Sequence, residues 1–358
     1  MTSDKQEKST KIKSIFGFLL PLLLTAAFLF IAFRKVDVAE SFRLLSEISL
    51  AYFAFYFLFF CLGNYLRALR WKYILNSVKP DTKMLNLLGA TMVGYGVNCV
   101  LPRFGEIYRP AFLGKWENIS RSSVFGTIIV ERIIDLLALG FSVLISVMIF
   151  PGDLYAEFPW LKSTVYIGFA FMIALIVIVV LTVRLKHHFY DIIVKMAGKL
   201  SQKLADKLAY LFDTLVEGFT SLKGIRNYIL TILLTAAIMC IYALTLYSGF
   251  YVLGMQEIKE VTFATAWIVM SISSFGVVIP TPGSTGSYHA FVMAVLIQIF
   301  GFANEISGAY ALFTHLVSYF SFILSTLFFV FIINKIREKS GIKKETFISV
   351  FHLKKGDN

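Results

Sequence analysis

Residues 122–150 read SSVFGTIIVERIIDLLALGFSVLISVMIF, an apolar run that contains Glu131, Arg132 and Asp135. About 20 predominantly apolar residues suffice for a helix to cross the hydrocarbon of a bilayer, so this stretch predicts a membrane-spanning helix. Charged side chains at that depth cost at least about 2.5–3.5 kcal/mol each and persist where they are paired or line a polar path. The stretch therefore predicts a membrane fold and a polar site within it.

The composition of the whole chain indicates the same class of protein. Hydrophobic residues make up 58% of the 358 residues and charged residues 16%, whereas soluble proteins carry about 25% charged residues. We therefore expect an all-α polytopic membrane protein with about six full transmembrane helices. These are predicted at 13–33, 49–66, 122–150, 163–183, 228–253 and 306–334.

The net charge of +12 comes from basic residues that flank apolar segments. This pattern is typical of cytoplasmic loops under the positive-inside rule, and it does not favour nucleic-acid binding. We expect a cytoplasmic N-terminus (1–12), a transmembrane domain (13–334) and a basic cytoplasmic tail (335–358). Within the domain, the helical spacing of leucines and lysines in 184–227 predicts an amphipathic helix on the cytoplasmic membrane surface, with partner binding as the alternative.

Two further apolar segments are interrupted. Segment 84–101 ends at Pro102, and segment 263–302 is broken between Pro280 and Gly286. The loop charges place the start and the end of 84–121 on the same side of the membrane, which a hairpin with 84–101 descending and 103–120 returning would satisfy. In the second half of the chain, a hairpin 263–302 that enters from the opposite face, followed by helix 306–334, satisfies the loop charges. They predict two re-entrant helical hairpins, an arrangement compatible with an inverted repeat.

Two of the charged clusters precede residue 122. Arg67 and Arg70 share a helix face beside Trp71, an expected interfacial anchor, and they form either a positive-inside flank or a pair of guanidinium groups for lipid phosphate. In the other, Pro102 and Gly105 break the helix. The charged residues that follow at every third position are Arg103, Glu106 and Arg109. On a short helix they would form one charged stripe of net charge +1, which suits an anionic ligand.

The acids of segment 122–150 have two open interpretations. Glu131 and Asp135 lie one turn apart and face the same way, with Arg132 beside them. They form either a structural ion-pair lock between helices or, by pairing with Arg103 or Arg109, the wall of a polar cavity.

The break in segment 263–302 predicts an anion site. Two prolines stop the first half-helix and two glycines free the backbone, while a serine is placed to cap the next half-helix. The N-terminus of that half-helix and nearby hydroxyl groups suit a phosphate. The residues concerned are Pro280, Pro282, Gly283, Ser284, Thr285, Gly286, Ser287 and, next to the break, His289.

Together these clusters resemble the transmembrane domain of lysylphosphatidylglycerol synthase, a broad family of flippase-like membrane proteins. The resemblance runs from about residue 12 to 335 and rests on 67–71, on NCVLPRFGEIYR at 98–109, on 131–135 and on 280–286. It implies a helical domain that moves lipids between leaflets: aminoacyl-phosphatidylglycerol in some relatives, polyprenyl-phosphate sugars in others. It also implies cavity roles for the charged residues of 98–109, including Asn98 in the motif, and of 131–135.

The chain departs from the family pattern in two places. The family often has glycine where Ser284 stands and glutamate where His289 stands, so a lysyl-lipid substrate is in doubt. Because the soluble aminoacyl-transferase domain of the full synthase is missing from this sequence, we do not expect lipid lysylation.

The sequence thus favours a lipid translocase of the cytoplasmic membrane. Its substrate would be an anionic phospholipid, an aminoacyl-phospholipid or a polyprenyl-phosphate-linked lipid. We expect no enzymatic activity, cofactor or metal, and membrane lipids as partners; a homodimer is one alternative for its assembly. The other functions left open are a membrane-embedded lipid-linked transferase and a non-transporting scaffold for envelope biosynthesis that docks through 184–227.

Overall fold

The computed structural model describes residues 19–76, 78–184, 201–202, 205–206 and 224–351. All regular structure in those ranges is helical, which confirms the all-α class. Residues 1–12 and nearly all of 184–227 lie outside the described residues, so the amphipathic surface helix stays a prediction.

The helices follow the predicted segments closely. They are α1 (Leu19–Phe33), α2 (Val38–Ser46), α3 (Leu50–Leu75), α4 (Met84–Val100), α5 (Gly105–Glu117), α6 (Arg121–Ile149), α7 (Leu154–Glu157), α8 (Pro159–Arg184), α9 (Ile225–Val252), α10 (Met255–Ile258), α11 (Phe263–Val278), α12 (Ser287–Ala294) and α13 (Asn304–Lys339).

Four of these helices, α3, α6, α9 and α13, are long and apolar enough to cross a membrane. A fifth span is counted if α1 and α2, which are bent by 82° at the break between them, form one crossing. Helix α8 covers the predicted segment 163–183. All six predicted segments are therefore helical where they are described, apart from single residues at the ends of three of them, but the count of about six full crossings stays a prediction.

The first interrupted segment forms a helical hairpin, as predicted. Helix α4 is followed by a break at 101–104, and α5 returns the chain to the start of α4. There the carboxylate of Glu117, the last residue of α5, accepts hydrogen bonds from the Lys83 backbone N–H (3.0 Å) and the Asn86 side-chain amide (2.7 Å). The chain thus enters and leaves this hairpin at one end.

The second interrupted segment forms a hairpin from α11 and α12, and a π-helical turn (Val295–Ile299) extends α12. Its two ends meet as well, because the Lys259 ammonium group donates to the carbonyl oxygens of Phe300 (3.1 Å) and Gly301 (2.7 Å). At 17 and 16 residues, α4 and α11 are shorter than a full crossing requires. Their entry from opposite faces and the inverted repeat stay predictions.

The chain divides into two compact units. The first comprises Met1–Leu58, Tyr95–Gly105 and Ala243–Leu324, and the second Phe59–Gly94, Glu106–Tyr242 and Ser325–Asn358. In the first unit, the short helix α2 lies against the start of α13, where the Ser41 hydroxyl donates to the Glu305 carbonyl oxygen at 3.1 Å.

In the second unit, the segment after α13 folds back onto the protein. The Asn334 side chain donates to the Glu345 carbonyl oxygen (2.7 Å) and accepts from the Glu345 N–H (3.0 Å). Beyond it, Val350 is buried, and the Phe351 ring packs edge-on against Tyr108 of α5 with centroids 4.9 Å apart. The described part of the basic tail is therefore packed against the helix that carries Glu106 and Arg109.

Replacing Asn334 with alanine removes both hydrogen bonds that tie the tail to α13. Each contributes about 0.5–1.5 kcal/mol net, so we expect hydrogen exchange in 345–351 to accelerate about tenfold through local opening. The control is Glu338→Ala, which breaks only the exposed ion pair with Lys344 (3.0 Å). Unchanged exchange in the Asn334 variant would show that the tail is held by other contacts.

Candidate functional site

Glu131 and Asp135 lie on α6, in the second unit, at the centre of a buried ion network. Arg67 of α3 contacts both acids, with its Nε 3.2 Å from Glu131 Oε1 and its Nη2 in a short contact with Asp135. Arg70 of α3 lies 2.6 Å from Asp135 Oδ1, and Arg109 of α5 lies 2.8 Å from Glu131 Oε2. Three helices are thus joined through two carboxylates.

Helical spacing explains how each element presents its charges. The two arginines of α3 are three residues apart and the two acids of α6 are four apart, so each pair lies on one helix face. Glu131 and Arg70 are completely buried, and Arg67 is nearly so. Arg67 and Arg70 are therefore neither a solvated positive flank nor free to bind lipid phosphate in this state, because the acids of α6 occupy their guanidinium groups.

The network has one accessible end, formed by Arg132 and Glu106. The Arg132 Nε lies 2.9 Å from Glu106 Oε1, with side-chain exposures of 35% and 40%, and its Nη1 lies 3.4 Å from Asp135 Oδ2. Among the described residues, four guanidinium groups and three carboxylates contribute to this network, a net charge of +1. Of the two predicted partners for the acids of α6, Arg109 is the one that pairs with Glu131.

Trp71 has a different place from the interfacial one expected. It is fully buried, and its Nε1–H donates to the Thr127 hydroxyl at 3.0 Å. The Arg109 guanidinium carbon lies 3.7 Å from the centroid of the Trp71 ring, in a cation–π contact. Trp71 thus positions the arginine that holds Glu131.

Two hydroxyl groups of α9 complete the network, and sequence reasoning missed both. The Tyr242 hydroxyl accepts from Arg67 at 3.3 Å, and the Thr235 hydroxyl accepts from Arg70 at 3.2 Å. They lie 175 and 165 residues from their partners. Nothing in the local pattern of an apolar helix distinguishes these side chains from ordinary packing residues.

Replacing Trp71 with phenylalanine keeps most of the ring volume but removes the indole N–H and weakens the cation–π contact. We expect the free energy of unfolding to fall by about 1–2 kcal/mol, measured by denaturation in detergent. The matched control is Trp160→Phe at an exposed tryptophan, where we expect little change. Equal stability of the two variants would refute the positioning role of Trp71.

Arg103 does not belong to the predicted charged stripe. Helix α5 begins only at Gly105, and Arg103 precedes it with a left-handed φ of 66°. Its guanidinium group donates to the Val278 carbonyl oxygen at 2.9 Å, within the first unit. Asn98, also in that unit, accepts the Gly105 N–H at 2.8 Å and so fixes the first turn of α5. Pro102 lies in the break, as predicted.

Ser287 is the first residue of α12 and not its cap, which corrects the sequence-based expectation. Gly286 occupies the cap position with φ of 85°. The Ser287 hydroxyl instead points back to the preceding half-helix, where it donates to the Gly276 carbonyl oxygen (2.7 Å) and shares a hydrogen bond with Thr281 (2.9 Å). The two half-helices are therefore joined directly across the break.

Two histidines hold the glycines of this break. His289 Nδ1 accepts the Gly286 N–H at 3.3 Å, and His315 Nε2 donates to the Gly283 carbonyl oxygen at 3.0 Å. The imidazole centroids lie 4.5 Å apart, and both side chains are buried. Thr285 shares a longer hydrogen bond (3.4 Å) with His315 Nε2.

Ser284 is half-buried with a left-handed φ of 61°, between Pro282 and Gly286 in a break that Pro280 opens. Its predicted contact with a phosphate, like that of Thr285, stays a prediction. Among the described residues, no group of three or more His, Cys, Asp or Glu side chains has the geometry of a metal site.

Comparison with known proteins agrees with this architecture. The family model of the lysylphosphatidylglycerol synthase TM region matches residues 18–325. The chain is 23% identical over 316 residues to the UPF0104 membrane protein MJ1595 of Methanocaldococcus jannaschii. The aligned region covers 83% of this chain and 90% of the relative. No solved structure is significantly similar. The match spans both hairpins and the charged network, and the chain therefore belongs to the lysylphosphatidylglycerol synthase TM region family of multi-pass membrane proteins.

Proposed function

We propose that the protein is a lipid translocase that binds an anionic headgroup at the accessible end of the ion network. The observation that carries this proposal is the accessible contact between Arg132 and Glu106 at the end of an otherwise buried, arginine-rich cluster. Charge-assisted hydrogen bonds are strengthened in an environment of low dielectric constant, so guanidinium groups at this end favour an anion. A lipid phosphate supplies that anion while its acyl chains remain in the bilayer.

Arg132 is the guanidinium group that a headgroup reaches first, because the other three arginines of the network are buried. Its contact with Glu106 is an exposed ion pair, which is worth about 1 kcal/mol or less. A phosphate that displaces the Glu106 carboxylate from Arg132 gains charge-assisted hydrogen bonds at little cost. In this proposal the lipid crosses unchanged, in a cytoplasmic membrane, with both termini of the protein in the cytoplasm.

The proposal is tested by reconstituting the purified protein in liposomes and timing the leaflet exchange of labelled lipids. The panel contains phosphatidylglycerol, its lysyl ester, phosphatidylethanolamine and a polyprenyl-phosphate sugar. Arg132→Gln and Glu106→Gln form a matched pair that changes the network charge in opposite directions at one exposed contact. We expect Arg132→Gln to slow the exchange of an anionic lipid at least about tenfold, because the substitution removes one charge-assisted hydrogen bond to the headgroup. Glu106→Gln is expected to maintain or accelerate the exchange.

Two results would contradict the proposal. If folded, inserted protein accelerates the exchange of no lipid in the panel, translocation is not its activity under these conditions, and a scaffold becomes the leading alternative. If pure protein instead converts a lipid-linked donor into product, it is a transferase. Equal effects of the two substitutions would show that the charge of the network does not select the headgroup.

A further inference from the structure

We propose that His289 is a proton-binding site whose protonation opens the break between α11 and α12. The hydrogen bonds of the break carry this inference, which lies in the first unit and is independent of the ion network. Only the coupling of the proton to lipid movement rests on the translocase proposal.

The two buried histidines act on the break through opposite kinds of hydrogen bond. His289 Nδ1 accepts the Gly286 N–H, so this nitrogen carries no proton and the imidazole is neutral. His315 Nε2 donates to the Gly283 carbonyl oxygen, so this nitrogen is already protonated. The break is thus held at one glycine by an acceptor and at the other by a donor.

A proton therefore has different effects at the two rings. When His289 takes a proton from water at Nδ1, a new N–H bond forms and the ring becomes an imidazolium, with no other bond exchanged. Its N–H then faces the Gly286 N–H, donor against donor, and their hydrogen bond is lost. Protonation of His315 at Nδ1 leaves its donation from Nε2 to Gly283 intact. Protonation therefore breaks the hydrogen bond of His289 to Gly286 but not the hydrogen bond of His315 to Gly283.

The described side chains that face His289 are aromatic rings and a second imidazole, and none of them is a carboxylate. Phe33 of α1 faces the ring with centroids 5.6 Å apart, and on α12 the neighbouring Tyr288 donates its hydroxyl to Thr314 (3.0 Å). From α13 the ring is faced by His315, against which Tyr319 stacks. Within the described residues, no carboxylate contacts either imidazole. Opening of the break would let the imidazolium donate to water or to a lipid phosphate.

The backbone of the break is built for such a change. Gly286 has a positive φ of 85°, and a Cβ at this position would lie 2.7 Å from the Thr25 carbonyl oxygen of α1. Because α1 covers the glycine so closely, release of the Gly286 N–H acts directly on the contact between α1 and the break. Lower pH is therefore expected to favour the open form.

The first test reads the break itself and needs no lipid movement. Thr285→Cys, in a background where Cys61, Cys99 and Cys240 are replaced, is labelled with a water-soluble maleimide between about pH 7.5 and 5.5. The reference carries His289→Gln in addition, because glutamine at the third helical position also accepts the N–H of the cap residue but does not titrate. We divide the labelling rate of Thr285→Cys by that of the reference, and we expect this ratio to rise as pH falls. Because one proton is bound, the rise is at most about tenfold per pH unit.

The matched control is His315→Gln, whose side-chain amide can still donate to Gly283, and we expect it to retain the pH response. A constant labelling ratio across the pH range would overturn the proposal, as would a loss of the response in His315→Gln alone. In proteoliposomes, lipid exchange by the native protein is expected to accelerate on acidification, and that by His289→Gln to stay constant. A pH-dependent labelling ratio without lipid exchange would support the proton site and count against the translocase.

Discussion

Replacement of Glu131 by glutamine is expected to lower the free energy of unfolding by about 3–5 kcal/mol, the cost of breaking a buried ion pair by removing one partner. Glu131 is 0% exposed and faces Arg67, Arg70 and Arg109 at 3.2, 3.3 and 2.8 Å. Glutamine fills nearly the same volume, so the loss reports the charge and not a cavity. Asp135, on the accessible side of the network, keeps its contacts with Arg67 and Arg70. The measurement is denaturant-induced unfolding of the purified protein in detergent.

Glu106→Gln is the matched control, since it removes the same charge from the exposed end of the same network. Its ion pair with Arg132 is 35–40% exposed, and we expect a change of about 1 kcal/mol or less. If the two glutamate variants are equally stable, the buried cluster does not hold α3, α5 and α6 together. In that case the network is a mobile polar surface and does not fix the three helices to one another.

The two hairpins illustrate what can be predicted from this sequence. A proline in a helix interior removes a backbone donor and can kink or break the helix, and both breaks contain the prolines that predicted them, Pro102 and Pro280. Charge counting along the loops required each hairpin to return to the side where it began. The contacts of Glu117 with Lys83 and of Lys259 with Gly301 bring the two ends of each hairpin together, whereas the side of the membrane stays a prediction. Local chemistry and loop charge therefore determine this level of the fold.

The partners of the buried charges could not be predicted in the same way. The sequence marks Glu131 and Asp135 as costly residues that need partners, but Arg70 lies 61 and 65 residues from them. Helical periodicity shows which residues share a face and gives no information about which helix that face meets. The interpretation of Arg67 and Arg70 considered α3 alone and so missed their pairing with Glu131 and Asp135, while their binding of lipid phosphate stays a prediction.

Trp71 and Ser287 show how a local rule can fail. A tryptophan at the end of an apolar run is typical of the membrane interface, yet Trp71 is buried beneath Arg109. A serine before a half-helix is typical of a cap, yet the positive φ of Gly286 gives that position to the glycine and turns Ser287 toward α11. In both cases the side chain makes a tertiary contact instead of the local contact that the sequence predicts.

Close packing of α11 on α12 leads to the second large effect, at Gly276. A Cβ at this position would lie 2.7 Å from the Ser287 carbonyl oxygen, 2.9 Å from its carbonyl carbon and 3.0 Å from the Tyr288 Cα. All three atoms are backbone, so no side chain can rotate away and the half-helices must separate. Separation also lengthens the 2.7 Å hydrogen bond from the Ser287 hydroxyl to the Gly276 carbonyl oxygen. We expect Gly276→Ala to lower the free energy of unfolding by about 1–3 kcal/mol, near the upper end of that range.

Gly168→Ala on α8 is the matched control, because this helical glycine has no atom within 4 Å of an added Cβ. There alanine has the higher helix propensity and is expected to stabilise the protein slightly. The break should respond as well: separation of α11 from α12 is expected to increase maleimide labelling of Thr285→Cys at neutral pH. A Gly276→Ala variant as stable as Gly168→Ala, with unchanged labelling, would mean that the half-helices are not closely packed across the break. Because Gly276→Ala separates the half-helices at any pH, it is also expected to weaken the pH dependence of the labelling.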